Sequence, residues 1–192
     1  PTKNEEEFLP KLLASIRKQT LQPSEIIVAD AGSTDKTRKI AQSFGACVVE
    51  GGMPGPGRNR GAVHAKTEFV LFLDADVELR DPEFLEKAIG EMKERKLDLA
   101  TCDVFPLSDD QLDHFMHKAY NTYARAWGSL IPHAPGFCMF VRKDKHDKIG
   151  GFDESITFCE DHDYARRFLD VGEFGFLKKT KIPVSIRRLD RD

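Results

Sequence analysis

One short segment, an apolar run that ends in acid, constrains the fold of this chain more than any other. The run extends from Phe69 to Leu73, and Asp74, Ala75 and Asp76 follow directly. A continuous apolar run of this length, rich in aromatic and branched residues, predicts a strand buried on both faces, as in a parallel sheet covered by helices. The two aspartates would then stand at the carboxyl end of a central strand, where open α/β sheets bind ligands.

The chemistry of this acidic pair has two interpretations. Because side chains alternate along an extended chain, both carboxylates could face one side, with only the small Ala75 between them. A hard cation that also binds phosphate oxygens suits that arrangement. The alternative is a strand followed by an ordinary Asx turn, since Asp favours turns and Asp81 and Pro82 follow shortly after. This segment alone leaves both interpretations open.

Length and charge narrow the class of protein. The 192 residues suffice for one α/β domain with a substantial core, but not for two full domains. The balance of 29 Lys and Arg against 32 Asp and Glu gives a net charge of −3, so no nucleic-acid partner is expected and any anion site must be local. No run approaches the roughly 18 apolar residues of a membrane span. Four cysteines without a C-x-x-C pair indicate reduced thiols of a cytoplasmic protein: Cys47, Cys102, Cys138 and Cys159.

Helical and strand patterns alternate along the chain, which predicts an α/β fold. Asn4 and Glu7 match a capping box for the first helix, the glycine-dense segment 51–61 predicts a loop, and Pro183 predicts an edge strand. Helices are expected over residues 6–19, 36–44, 82–95 and 112–130, and from residue 160 onward. Strands are expected over residues 25–29, 46–50, 69–73, 97–105, 174–177 and 182–186, and a loop followed by a strand over 135–141.

The helix predicted over residues 112–130 carries an apolar stripe. Stripes of this kind more often form core or an interface than a substrate pocket. The stripe consists of Phe115, Met116, Ala119, Tyr120, Tyr123 and Trp127.

Acidic residues recur where functional groups are expected. Asp30 and Asp74 end corresponding strands, and between them lies a glycine-rich segment in which Arg58 could bind a phosphate or a base edge, or could be solvated. Glu160 and Asp161 begin a helix. Acids at that position either complement the helix dipole or supply a general base whose pKa is raised by neighbouring carboxylates. The pattern indicates a nucleotide-binding half in which carboxylates, not a Walker A loop, contact the ligand.

Six segments resemble, in order, the motifs of family 2 glycosyltransferases with the GT-A fold: residues 1–5, 30–37, 57–61, 73–76, 150–154 and 160–163. The resemblance implies a Rossmann-like, mostly parallel central sheet flanked by helices, with a small antiparallel edge. It implies one domain over residues 1–192, with a nucleotide-binding half (1–105) and an acceptor-binding half (106–192). In that family a strand runs directly into the P-T-x-N-E turn, so a further strand is expected before Pro1.

The resemblance also implies roles for individual residues in an inverting, metal-dependent transfer of a hexose. On the nucleotide side it implies Pro1, Thr2 and Glu5 at the nucleoside, Asp30 at the base, Arg58 at the base or diphosphate, and Asp74 at the ribose. On the reacting side it implies that Asp76, in the DXD motif, binds Mg²⁺ or Mn²⁺. It implies that Asp161, beside Glu160, is the general base, and that Gly136 and Phe137 lie at the acceptor.

The implied donor is a nucleotide-sugar, with UDP-sugars favoured over GDP-sugars, and the implied acceptor is a glycan or a lipid-linked molecule. The expected location is the cytoplasm, including the cytoplasmic face of a membrane, and the sequence does not indicate an oligomeric state. Processive synthases are disfavoured because the glutamine-arginine-tryptophan motif is absent. Arg187 and Arg188 lie in a segment that resembles one whose arginine meets the diphosphate, although a solvated terminus is the simpler interpretation.

Two other functions remain open at this point. A catalytically inactive sugar-nucleotide-binding protein would share the motifs. A sugar-phosphate nucleotidyltransferase would share the fold, but it would require a basic G-x-G-T-R type of loop near the N-terminus, which the chain lacks.

Overall fold

The computed structural model describes residues 1–52, 54–107, 110–128, 132 and 134–184. These residues form seven helices and six strands. The helices are α1 (Leu9–Arg17), α2 (Thr37–Ser43), α3 (Gly55–His64), α4 (Phe84–Arg95), α5 (Gln111–Trp127), α6 (Lys143–Lys148) and α7 (Glu160–Phe168). The strands are β1 (Ile27–Asp30), β2 (Cys47–Glu50), β3 (Phe69–Leu73), β4 (Leu99–Pro106), β5 (Cys138–Arg142) and β6 (Phe174–Val184).

The strands form two sheets. β1 and β2 pair in parallel, and the second sheet has the order β3-β5-β4-β6. β5 runs antiparallel to both β3 and β4, whereas β6 runs parallel to β4. The predicted α/β class is therefore confirmed. The sheet is more mixed than expected, because the antiparallel strand β5 lies inside it and not at an edge.

β3 has the predicted bounds, and both of its faces pack against the core: Phe69, Leu71 and Leu73 contact one buried cluster, Val70 and Phe72 the other. Only Phe72 is fully buried, however. The expected central position in a parallel sheet is wrong, because β3 is at the edge of its sheet and pairs antiparallel with β5. After Leu73 the chain does not stay extended, because the amide of Val77 donates to the carbonyl of Asp74 (3.4 Å) and closes a turn. The expected alternation of two carboxylates along an extended strand is therefore also wrong, and Ala75 is buried in the core.

An apolar cavity of about 460 Å³ explains the exposure of β3. Residues of β1 and β3 line it, together with apolar side chains of α1 such as Leu13 and Ile16. On the far side of β1 lies β2, and on the far side of β3 lies β5. Within the described part of the chain, the one segment outside β2 that pairs with β1 is Thr2, which forms an isolated parallel bridge to Asp30.

The helix boundaries show two corrections in the first half. α1 begins at Leu9, and Asn4 does not cap it: Asn4 has a φ of 55°, and its Oδ1 accepts from the amide of Thr34 (2.9 Å) in the loop after β1. The predicted loop over residues 51–61 is largely the helix α3. Pro54 and Pro56 fit at its start, because the first turn of a helix needs no amide donor from those positions.

The second half also differs from expectation. α6 was not predicted, and the two predicted terminal strands are one strand, β6, whose register shifts opposite Cys102 and Asp103. β6 lies at a sheet edge, which confirms the prediction from Pro183. Residues 129–130 of the predicted long helix, and Arg187 and Arg188, lie outside the described residues.

The apolar stripe of α5 faces solvent. Phe115 is 65% exposed and Trp127 is 47% exposed, whereas Ala124 on the opposite face is fully buried. The expectation that the stripe forms core is therefore wrong, and an interface stays a prediction. In the described part of the chain, no helix combines the length and the hydropathy needed to cross a bilayer.

Two clusters of buried side chains hold the layers together. One packs α1 and α4 against both sheets, and the other packs α3 and α7 against the four-stranded sheet through Phe72, Phe152, Tyr164 and Phe168. The second cluster matters for function, because it fixes the two helices that carry Arg58, Glu160 and Asp161.

Candidate functional site

Asp30 is a fully buried carboxylate at the end of β1, and neighbouring groups of the protein surround it. It accepts from the amide of Ser33 (3.0 Å), the hydroxyl of Ser33 (2.5 Å) and the hydroxyl of Thr2 (3.2 Å). Arg38 of α2 approaches it at 3.4 Å. These donors order the loop between β1 and α2. The carboxylate borders a polar surface depression formed by Asp30, Ala31, Gly32, Arg38, Glu50, Gly51 and Gly52.

The N-terminal turn joins this loop to the rest of the site. The backbone of Thr2 donates to Ala29 (2.9 Å) and accepts from Ala31 (2.8 Å), and the amide of Glu5 donates to the hydroxyl of Thr37 (2.8 Å). Pro1 lies against α3, where an added Cβ on Gly57 would be 3.0 Å from the Pro1 Cβ. The turn therefore lies between the Asp30 loop and α3.

Arg58 of α3 is the central buried charge of the site. Its Nη2 is 3.0 Å from Asp74 Oδ1 and its Nη1 is 2.6 Å from Glu160 Oε1. The guanidinium also lies over the ring of Phe152, with its Cζ 5.4 Å from the centroid. One side chain thus joins the end of β3 to the start of α7. The structure places Arg58 in two ion pairs and leaves it 4% exposed.

Asp161 lies beside this ion-pair system at the start of α7. Its Oδ2 accepts from the amide of Gly136 (2.9 Å) and its Oδ1 from the amide of His162 (2.9 Å). The neighbouring carbonyl of Phe137 accepts from the amide of Asp74 (3.4 Å). The turn at residues 136–137 therefore contacts both the acid at the end of β3 and the acid at the start of α7.

Tyr120 of α5 is partly exposed, and its hydroxyl lies within the electrostatic reach of Asp161. Burial raises the pKa of the Tyr120 hydroxyl, and the negative charge of Asp161 raises that pKa further. The phenol therefore stays protonated near neutral pH and can donate a hydrogen bond. The sequence pattern places Tyr120 in the apolar stripe of α5, and only the packing of α5 on β4 brings it towards the carboxylate.

A second contact fixes the geometry of α3 relative to the turn before α7. The side-chain amide of Asn59 donates to the carbonyl of Phe152 (2.8 Å) and accepts from the amide of Phe152 (2.8 Å). Gly151 has a φ of 74°, and a Cβ there would collide with the side-chain oxygen of Asn59. The motifs at residues 57–61 and 150–154 are thus two sides of one contact.

The metal-binding potential of the site rests on Asp74 and Asp76. Asp76 is partly exposed in the turn after β3. Throughout the described residues, no group of three or more His, Cys, Asp or Glu side chains is arranged to hold a metal ion. A nucleotide-bound Mg²⁺ needs no such group, because one or two carboxylates together with substrate phosphates are its usual ligands. The donor set is therefore chemically suited to a cation that arrives with a diphosphate.

The structure brings six of the predicted residues together: Arg58, Asp74, Gly136, Phe137, Glu160 and Asp161. Thr2, Glu5 and Asp30 form a neighbouring group, and Pro1 lies between the two groups, since it precedes Thr2 and packs against Gly57 of α3. Arg38 and Tyr120 were missed. The position of Arg38 early in a helix that follows an acidic strand end was a usable signal, whereas nothing in the sequence pairs Tyr120 with Asp161.

Comparison with known proteins identifies the family. The model described as glycosyl transferase family 2 matches residues 1–150. The chain belongs to glycosyl transferase family 2. A 4,4'-diaponeurosporenoate glycosyltransferase of Staphylococcus haemolyticus is 37% identical over 98 residues, which cover 46% of this chain and 26% of that protein. One from Staphylococcus aureus (strain USA300) is 35% identical over 99 residues, with 47% and 26% covered. The matched segment thus spans about a quarter of these curated relatives.

Solved structures establish the fold. The structure of S. aureus TarS 1-349 in complex with UDP-GlcNAc superposes with a TM-score of 0.76 at 21% identity, over 100% of this chain and 57% of that chain. The mannosyltransferase PcManGT from Pyrobaculum calidifontis, in complex with GDP-Man and Mn²⁺, superposes with a TM-score of 0.77 at 19% identity, over 95% and 54%. The predicted GT-A fold of family 2 is therefore confirmed.

Proposed function

We propose that this chain is the catalytic domain of a metal-dependent, inverting glycosyltransferase that moves a sugar from a nucleotide-sugar to an acceptor hydroxyl. The observation that carries the proposal is the convergence around Arg58 of an acid from the donor side, Asp74, with the acidic start of α7, where Asp161 is held by Gly136. Family membership supports it, as do the nucleotide-sugars bound by structural neighbours.

On the donor side, the N-terminal turn and the Asp30 loop would bind the nucleoside. Pro1, Thr2 and Glu5 would line this pocket. Asp30 borders the polar depression but is fully buried, so it would accept from the nucleobase only after a present donor, Thr2 or Ser33, moves aside. Asp74 would bind the ribose. Asp76 would hold Mg²⁺ or Mn²⁺, which supplies positive charge for the departing diphosphate.

On the acceptor side, Asp161 would remove the proton from the attacking hydroxyl. The amide of Gly136 fixes its Oδ2, and this orients the carboxylate towards the acceptor region formed by Gly136 and Phe137. Glu160 would not itself take the proton, because it is 7% exposed and is paired with Arg58. Attack from the face opposite the leaving group would invert the anomeric centre.

The proposal extends to the donor class and the location. UDP-sugars are favoured over GDP-sugars, and the acceptor would be a glycan or a lipid-linked molecule. Residues 1–105 would form the donor half and residues 106–192 the acceptor half of one domain. The structure has Cys47, Cys102, Cys138 and Cys159 as free thiols, which supports a reducing, cytoplasmic setting.

Titration calorimetry with UDP-, GDP- and dTDP-sugars, with and without Mn²⁺, tests the donor site. We expect binding of one nucleotide class that requires the metal, and loss of this metal-dependent binding in Asp76→Asn. Asp161→Asn should keep donor affinity but lower kcat by about 10²–10⁴-fold, the usual contribution of a general base. Absence of nucleotide-sugar binding by the wild-type protein in Mn²⁺ would refute the proposal.

A catalytically inactive sugar-nucleotide-binding protein is the second candidate, and one observation favours it. Both oxygens of Asp161 already accept backbone amides, so an acceptor hydroxyl would have to share or displace one of these hydrogen bonds before it reached the carboxylate. Metal-dependent donor binding without turnover, against glycan and lipid-linked acceptors alike, would support this second function.

A further inference from the structure

Arg58 differs from an ordinary substrate-binding arginine in having almost no exposed surface. Its side chain is 3% exposed, and each terminal nitrogen already binds a carboxylate, Nη2 to Asp74 and Nη1 to Glu160. A phosphate or a base could reach the guanidinium only by displacing one of these partners. The planar fork of arginine suits two partners at once, whereas the single ammonium group of lysine does not.

The backbone at Gly136 is built around this guanidinium. A Cβ added to Gly136 would lie 2.5 Å from Arg58 Cζ, closer than real atoms approach. The guanidinium cannot swing aside cheaply, because ion pairs hold it on two sides and Phe152 lies below it. The amide of Gly136 in turn donates to Asp161. Arg58 therefore packs against the same residue that orients the proposed base.

The buried charge of Glu160 also depends on Arg58. Glu160 is buried, and its nearest opposite charge is Arg58 at 2.6 Å. Removing one partner of a buried ion pair leaves an uncompensated charge, which is strongly unfavourable, so Glu160 would move towards water. Because Asp161 is the next residue of the first turn of α7, that movement would carry the base with it.

We infer that Arg58 is a positioning residue that couples the donor half to the acceptor half: it holds Asp74 and Glu160 at fixed separation, and through Glu160 and Gly136 it sets the position of Asp161. The inference rests on the proposed function. It assigns Arg58 a role in positioning the general base, Asp161. The family resemblance instead implied direct contact of Arg58 with the nucleobase or the diphosphate of the donor.

The test compares donor binding with turnover in variants of the bridge, by which we mean the two ion pairs that join Asp74 and Glu160 through Arg58. Arg58→Lys keeps the charge but loses the fork, and Glu160→Gln removes one arm of the bridge. Each should lower kcat by about 10²-fold, the loss expected when a catalytic group is displaced by about 1 Å. The donor Kd by calorimetry should change by less than about 3-fold in Glu160→Gln, which keeps the pair of Arg58 with Asp74. In Arg58→Lys the donor Kd should change far less than kcat, because the lysine ammonium can still pair with Asp74. Because both changes break the same bridge, the double variant should lose little more kcat than either single variant.

Two further variants separate positioning from general stability. Arg95→Lys is the matched control, because Arg95 pairs with the buried Glu91 at 2.5 Å on α4, away from the site. This variant should lower Tm without changing kcat per binding-competent molecule. Gly136→Ala retains every charge but crowds the guanidinium. It should lower kcat and leave donor Kd unchanged. The calorimetric stoichiometry reports the fraction of folded protein in each sample.

The outcomes are distinguishable. If Arg58→Lys weakens donor binding by the same factor as it lowers kcat, Arg58 binds the donor and the inference is wrong. An unchanged kcat, or fully additive losses in the double variant, also overturns it. A wild-type protein that binds no nucleotide-sugar, or binds one without turnover, overturns the proposed function and the inference together.

Discussion

At the scale of single residues, His146 is the buried titratable group with the clearest effect on stability. Its Nδ1 lies 2.9 Å from the hydroxyl of Tyr164, and its ring packs against Phe72 and Phe152. Burial lowers the pKa of His146 to about 4; Asp147 opposes this shift, while Lys143 and Arg167 add to it. Because Tyr164 belongs to α7, the protonation of His146 acts on the helix that begins with the proposed catalytic acids.

The folded protein should lose stability in a defined pH window. The unfolded chain protonates histidine near pH 6.5, whereas the folded chain does so near pH 4, so the unfolded state binds more protons between these values. The contribution of His146 is therefore complete above about pH 6.5 and falls as the pH drops towards 4. Urea unfolding should show about 2 kcal/mol lost through this group between pH 7.5 and pH 5.

His146→Asn provides the comparison, because its side-chain amide can still meet the hydroxyl of Tyr164 but does not titrate. The variant should be less stable than wild type at pH 7.5, and the difference between the two proteins should shrink by about 2 kcal/mol at pH 5. Parallel stability curves for the two proteins over this range would show that His146 is not the group responsible.

At the scale of secondary-structure elements, the sequence predicted the type and bounds of an element better than its packing partners. The bounds of β3 were predicted because a continuous apolar run has few alternatives. α3 was missed because its glycines and prolines resemble loop residues. Pro56 occupies the first turn of α3, and Gly57 has no Cβ because the backbone carbonyl of Gly52 occupies that space. Such close approaches depend on tertiary packing, which no local pattern records.

α5 shows the same limit in another form. The apolar stripe was recognised from its spacing, but spacing does not determine whether a stripe faces the core or solvent. The inner face of α5 is polar: Asn121 exchanges hydrogen bonds with the backbone of Val104, and Arg125 binds Asp103 at 2.7 Å. Polar contacts therefore hold α5 on β4 and leave the apolar stripe outside.

Two phenylalanine truncations test this assignment. Phe84 of α4 is 1% exposed, and Phe84→Ala should cost about 3–5 kcal/mol of unfolding free energy because it opens a cavity. Phe115 of α5 is 65% exposed, and Phe115→Ala should change the same quantity by less than about 0.5 kcal/mol. Urea titrations of both variants provide the measurement. A cost for Phe115→Ala close to that for Phe84→Ala would mean that the stripe is covered in solution.

At the scale of the whole molecule, the acids of the candidate site could be named from the sequence but not paired. Asp74, Glu160 and Asp161 were recognised from their positions at a strand end and a helix start. Their connection through Arg58 and Gly136 was not, because it depends on how α3 and α7 pack on the four-stranded sheet. Motif order predicts which residues form the ligand-binding side, and only the packed structure shows that Asp74 and Glu160 pair with the same arginine.

The cavity between β1 and β3 leads to the last prediction. It is apolar, it lies between two strands, and Thr2 already pairs in parallel with the end of β1. An extended apolar segment is the shape that would fill this space, since it could pair with both strands while burying its side chains against α1 and Phe140.

Fusing five β-branched residues directly before Pro1 should therefore stabilise the protein. Burying two or three of the added side chains contributes about 3–9 kcal/mol in total, and the conformational entropy lost by the added residues offsets part of this. A net gain of about 2–4 kcal/mol should raise Tm by about 4–16 °C for a chain of this size. Differential scanning calorimetry measures the rise. A matched extension of five Gly and Ser residues should leave Tm within about 2 °C, because it buries little apolar surface. Equal effects of the two extensions would mean that the cavity does not accept a strand, since the benefit must come from apolar side chains that enter the space between β1 and β3.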